Sequence, residues 1–302
     1  MLLRFKLAFN EDEIRCLMTT RVRKEVKFGY RISLKLIINQ LKAYSRPPFS
    51  KSFLRFLKSF LTNETLNNAT LDSYTTQISI IQRILQNNSG VYRKNGQPLY
   101  LLISDHFGNF VNKKILGLET EKKEALSEIV HKFSVYPNAN SPESYNDIIY
   151  PLIPMVGIQE LKTYCKIFIE RAVLFKPKVR TVYAHTYYRG SFYYYKYEPF
   201  FKENLAVLRG FVFMVAYFKL ESCTTLLYKL IERSYSKTNG LALGNGYQLV
   251  GEACIQILMH YLKNKGHNIL LELYQNTKIK SIKSRIKKEA DILKENTGES
   301  LI

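Results

Sequence analysis

The residues able to do chemistry are few and scattered. Five histidines, His106, His131, His185, His260 and His267, form no H-E-x-x-H pair and no metal-like spacing. Four cysteines, Cys16, Cys165, Cys223 and Cys254, lie far apart, and none sits in a C-x-x-C pair. Three of them fall in apolar, helix-like segments, so they read as buried thiols of a reducing compartment and not as zinc ligands. Ser104-Asp105-His106 sets an acid beside a base, as proton transfer requires, but adjacency in the chain is its only support. Gly244-Asn245-Gly246 with Gly251 has a superficial phosphate-loop look. It lacks the lysine of G-x-x-x-x-G-K-[ST], departs from the G-x-G-x-x-G spacing and follows helices instead of a strand. Ser191 follows a glycine, but no G-x-S-x-G surrounds it. No catalytic residue, metal, cofactor or small-molecule site is expected from these patterns.

Binding chemistry is better represented. Between residues 176 and 202 the cations Lys176, Lys178, Arg180, Arg189, Lys196 and Lys202, with His185, alternate with Tyr183, Tyr187, Tyr188, Tyr193, Tyr194, Tyr195 and Tyr197. Only Glu198 is acidic. Cations contact phosphates and aromatic faces stack bases, a pairing suited to single-stranded nucleic acid. The competing reading packs the tyrosines between helices and leaves the cations solvated. Arg180, His185, Tyr187, Arg189, Tyr194 and Lys196 are the candidate contacts there. A second cluster, Lys278, Lys280, Lys283, Arg285, Lys287 and Lys288, lies in one expected helix with no acid before Glu289. It could meet nucleic acid, an anionic membrane surface or an acidic protein, or be a solvated helix face. Arg21, Arg23, Lys24 and Lys27 make a third cluster.

These clusters belong to a chain of 302 residues with 45 Lys+Arg against 25 Asp+Glu, a net charge of +20. Hydrophobic residues make up 46%, enough for a large core, which excludes disordered, collagen-like and disulfide-scaffold classes. Richness in Lys, Asn, Ile and Tyr also follows from AT-rich coding, which lowers the weight of the charge as evidence. No run of about 18 apolar residues suggests a membrane span. The first nine residues are too short and interrupted for a signal segment, and acids follow at once, so a cytoplasmic location is expected.

The elements that must position these residues read as helices. Apolar residues recur at helical steps over 30–44, 50–61, 71–85, 121–135 and 158–175; in the last, Leu161, Cys165, Phe168, Ala172 and Phe175 share one face. Ser141-Pro142-Glu143 is a helix-start signature. Residues 98–104 read as a short strand or a helix start. Residues 179–197 are β-prone by composition, but their tyrosine run does not alternate. A weak break falls near Pro177. Residues 1–176 are read as an N-terminal helical region of one stack, and 177–302 as repeats with a capping helix.

The repeats rest on two apolar helices. Superposing Gly210 on Gly251, an offset of 41 residues, aligns Leu208 with Leu249, Val212 with Ala253 and Met214 with Ile255. HEAT and armadillo units span roughly 40–47 residues. A helix without a polar face needs cover on both sides, and stacking supplies it. Each apolar helix is followed by another, over 222–235 and 267–274. The last helix, 278–295, carries Ile279, Ile282, Ile286, Ala290 and Leu293 on one stripe with Gly298 at the C-cap, as a terminal cap should. The expected fold is therefore all-α, a HEAT/armadillo-like α-solenoid of stacked helix pairs.

The stretches Asn204-Leu-Ala-Val-Leu-Arg-Gly210, Leu227-Tyr-Lys-Leu-Ile-Glu-Arg-Ser-Tyr235, Leu243-Gly-Asn-Gly246, Gly251-Glu-Ala-Cys254 and Leu270-Leu-Glu-Leu-Tyr274, with the ending Ile286-Lys-Lys-Glu-Ala290 to Gly298, carry a resemblance. Over residues 200–298 they resemble the helical-repeat region of the bacterial DUF4132 (MolR-like) family. The resemblance implies HEAT-like repeats, and in that family these precede a further C-terminal domain. It carries no catalytic residue. The functional expectation is a non-enzymatic scaffold whose partner is a protein. A nucleic-acid-binding solenoid is the alternative, and a HEAT-like DNA glycosylase a remote one that the absence of Trp disfavours.

Overall fold

The computed structural model describes residues 7, 9–22, 34–43, 49–62, 71–136, 141–175, 179–186, 190–197, 200–236, 247–298 and 301. The chain divides into two compact units. Helices form nearly all of the regular structure, so the class is all-α, with one two-stranded sheet among the described residues.

The first unit comprises Met1–Leu99 with Arg180–Lys196. Its helices are α1 (Glu11–Val22), α2 (Leu34–Ala43), α3 (Lys51–Thr62) and α4 (Leu71–Asn87). Helix α1 starts with a reciprocal cap: the Glu13 amide donates to Asn10 Oδ1 (2.9 Å) and the Asn10 amide to Glu13 Oε2 (2.7 Å). Ser50 Oγ accepts from the Phe53 amide (3.1 Å) at the start of α3, and Glu11 accepts from the Ser50 amide (2.8 Å), tying the two helix starts together. The apolar faces read from the sequence over α2, α3 and α4, together with α1, which the sequence reading did not mark, meet in one core, with Ile14 and Met18 of α1, Ile37, Ile38 and Leu41 of α2, Phe53, Leu57 and Phe60 of α3 and Ile81 of α4 all buried.

The β-prone stretch forms β1 (Val179–Thr186) and β2 (Gly190–Tyr197). Three intervening residues can join only antiparallel strands, so this is a hairpin. Branched and aromatic residues favour the extended backbone even where period-two alternation is lost.

The second unit comprises Tyr100–Val179 and Tyr197–Ile302. It holds α5 (His106–Leu116), α6 (Thr120–Val135), short helical turns over 142–156, α7 (Ile158–Leu174), α8 (Lys202–Tyr217), α9 (Thr224–Tyr235), α10 (Tyr247–His260), α11 (Lys263–Asn276) and α12 (Lys280–Thr297). Pro177, near which the sequence suggests a break, lies outside the described residues. Residues 98–104 are extended, apart from an isolated bridge at Pro98 and a bend at Ser104, and are neither a full strand nor a helix. The Asn112 side chain stands in for a strand partner there: its Oδ1 accepts from the Leu102 amide (2.7 Å) and its Nδ2 donates to the Leu102 carbonyl (2.9 Å).

Every face of α8 is covered, with Val207 to Ala216 buried without interruption. It packs on α6, α7 and α10; α10 packs in turn on α8, α9, α11 and α12. The strongest partner of α10 is thus the helix before it, and α8 packs most on α10 and equally on α6 and α7. The sequence had suggested each apolar helix pairing with its successor. A Cβ at Gly210 would fall 2.2 Å from the Phe133 ring of α6, and one at Gly251 2.7 Å from Ser234 Cβ of α9. Both glycines allow close helix approach, but their neighbours are not equivalent. On α12, Ile282, Ile286, Ala290 and Leu293 are buried, and Gly298 caps the helix at φ 73° with its amide donating to the Lys294 carbonyl (2.8 Å).

Candidate macromolecule-binding surfaces

Arg180 and His185 lie in β1, and Tyr194 and Lys196 in β2. Tyr187 and Arg189 lie outside the described residues, as do the glycines Gly244 and Gly246. Two buried rings of the second unit flank the hairpin in the sequence. Phe175 and Phe200 meet edge to face at 5.1 Å; Phe200 also packs on Tyr247 (5.5 Å) and Phe175 on His106 (4.9 Å).

Asp105 joins two helix starts within the second unit. One carboxylate oxygen accepts from the Gly108 amide (2.7 Å), capping α5, and the other from the Phe201 amide (3.1 Å), at the entrance to α8. Asn204 donates to the Ile103 carbonyl beside it (2.8 Å). Burial raises the Asp105 carboxyl to about 6, against the lowering effect of these hydrogen bonds. The acid of Ser104-Asp105-His106 is therefore a cap for two helix starts. The base beside it meets Arg171, with His106 Nε2 2.6 Å from the guanidinium.

The second basic cluster splits by burial. Lys278, Lys280, Lys287 and Lys288 are exposed. Lys283 lies over the Tyr274 ring, 5.5 Å from its centre. Arg285 turns inward: its guanidinium lies 2.9 Å from Glu289 Oε1 and 3.4 Å from Glu252 Oε2 of α10. His260, at the end of α10, meets the other Glu289 oxygen at 2.9 Å. Burial alone would raise the Glu289 carboxyl, but the His260 hydrogen bond and the charges of Arg285 and His260 hold it below the usual range. The Tyr235 hydroxyl is buried next to this group and makes no hydrogen bond among the described residues; burial and then Glu252 push it up. These residues form an ionic clamp between α10 and α12. Glu289 sits on the apolar stripe, one turn after Arg285, a spacing that signals an ion pair on a helix.

A further surface was missed by reading the sequence. Tyr150, in the 142–156 turns, is 59% exposed and packs edge-on against Tyr217 (5.9 Å). Tyr217 contacts Phe218 (5.0 Å), whose ring lies 5.9 Å from Lys162 Nζ of α7. Beneath them lie the buried side chains of Tyr145, Ile149, Ile153, Phe213 and Met214. Tyr217 had read as the end of an apolar helix, and nothing in a one-dimensional pattern brings Tyr150 to it.

No helix of the described residues is long and apolar enough to cross a membrane, and no group of His, Cys, Asp and Glu among them could hold a metal ion. No protein-family model, curated protein or solved structure matches the chain, so no family is assigned to it.

Proposed function

We propose that the chain is a non-enzymatic, cytoplasmic helical scaffold that binds a protein partner bearing an acidic surface. The observation that carries this reading is the division of labour on α12. Arg285 is spent inside the fold on Glu289 and Glu252, while Lys278, Lys280, Lys287 and Lys288 stay exposed. A cation display of this kind steers association with an anionic partner. The packing of α7 on α8 and of α9 on α10, with α8 on α10 and both α11 and α12 on α10, supports an α-solenoid form for the second unit. The DUF4132-like resemblance over 200–298 is held in the same way. Buried thiols at Cys165, Cys223 and Cys254 agree with a reducing compartment.

A nucleic-acid reading draws on the basic and tyrosine-rich hairpin and on the same exposed lysines at residues 278–288. Affinity capture with the full chain, at low and high salt and with nuclease treatment, separates the two. Nuclease-resistant retention of a protein, weakened in Lys287→Glu/Lys288→Glu, is the expected result. Retention abolished by nuclease, or restored to neither a protein nor an acidic ligand, overturns the scaffold reading in favour of nucleic acid or of no anionic partner.

A further inference from the structure

We infer that the aromatic shelf Tyr150–Tyr217–Phe218, with Lys162, Lys166 and Lys219 around it, docks an acidic protein segment carrying an aromatic or aliphatic anchor. The inference names a surface and a partner chemistry for the scaffold, and rests on that reading.

The shelf is continuous. Its three rings touch in sequence, and Lys162 Nζ lies over the last of them. Ile158, 52% exposed, lies one turn before Lys162 on α7. Tyr150 is exposed while Tyr217 and Phe218 are half-buried, and adjoining, partly exposed rings of this kind mark an interaction site where single exposed residues do not.

Lys162 and Lys166 are one turn apart on α7, and Lys166 acts on Cys223, which follows the loop after α8. Lys219 is exposed in that loop. No carboxylate of the described residues pairs with any of the three. Two nearby acids are engaged elsewhere, Glu221 with Lys265 at 2.9 Å and Glu143 as acceptor from Tyr261 at 2.6 Å, and Asp147 is exposed on the turn before Tyr150.

Lys219 carries the most specific argument. It ends α8 in a left-handed conformation, φ 50°, with its amide donating to Ala216 and that of Leu220 to Val215. This Schellman geometry favours glycine at that position. A lysine there costs backbone strain and places a cation beside Phe218. Strain retained at a surface site points to function. Three cations without an ion-pair partner among the described residues favour an acidic partner. Exposed aliphatic surface at Ile158 favours a protein segment over nucleobases, which gain little from it.

The test is selection from a displayed random-peptide library against the full chain. Peptides combining acids with an aromatic or aliphatic residue are expected. Their affinity should fall about tenfold or more in Lys162→Glu/Lys166→Glu, and measurably in Lys219→Gly, which removes the charge where the backbone prefers glycine. Slowed hydrogen exchange should map to residues 149–166 and 214–221. Loss of binding in Lys287→Glu/Lys288→Glu alone overturns this site but keeps the scaffold. Loss in neither variant, or failure to enrich acidic peptides, overturns both. Preferential displacement of the peptides by oligo-dT assigns the shelf to nucleic acid and overturns the inference.

Discussion

Asp105 and Glu289 show how two carboxylates of one chain take opposite roles in stability. Asp105 is raised from 3.8 to about 6 in the fold, so the folded state holds its proton more tightly than the unfolded chain. Its contribution is therefore complete below about pH 4 and is lost as pH rises through 6, on the order of 3 kcal/mol in all. Asp105→Asn should remove that slope, read as the urea midpoint against pH between 4 and 6. Glu289 is lowered, so its contribution is present above the ordinary carboxylate range and is lost as pH falls below it. Glu289→Gln should flatten the acid limb and leave the Asp105 slope intact. At Lys219, glycine relieves the left-handed backbone, so Lys219→Gly should raise stability by about 0.5–1 kcal/mol, measured by chemical denaturation. The adjacency of Asp105 and His106 was legible in the sequence. That they serve Phe201 and Arg171 was not, because both partners lie more than sixty residues away.

Among the elements, α8 and α12 are the most informative. Helix α8 is apolar on every side because three helices cover it. At Gly210 an added methyl would meet the buried Phe133 ring, so Gly210→Ala should cost about 1–3 kcal/mol by overpacking, despite its better helix propensity. Failure of that variant to lower the unfolding midpoint would show that α6 can yield. Helix α12 matched its sequence stripe at Ile282, Ile286, Ala290 and Leu293. The clamp from Glu289 to Arg285 and His260 adds specificity to that stripe. Glu289→Ala leaves Arg285 poorly compensated near α10 and should cost about 2–3 kcal/mol, with exchange at 280–297 quickening before the rest of the chain. The hairpin is the element the periodicity missed. Its composition favoured strands, but the alternation test fails in a run of tyrosines.

At the scale of the whole molecule, two compact units with separate cores predict separable unfolding. Phe53→Ala, in the first core, and Gly210→Ala, in the second, should shift different transitions in a urea titration followed by two probes. A single coincident transition that both variants shift alike would contradict this. The sequence by itself determined the helical class, the positions of most helices, the small residues at helix crossings and the excess of positive charge. These follow from local periodicity and composition, which act over one or two turns. Only the tertiary structure decided which helices pair, that Arg285 turns inward while four neighbouring lysines stay exposed, and that Tyr150 reaches Tyr217. Those outcomes depend on contacts between residues far apart in the chain, where burial, hydrogen bonding and shape select among partners that look equivalent along a line.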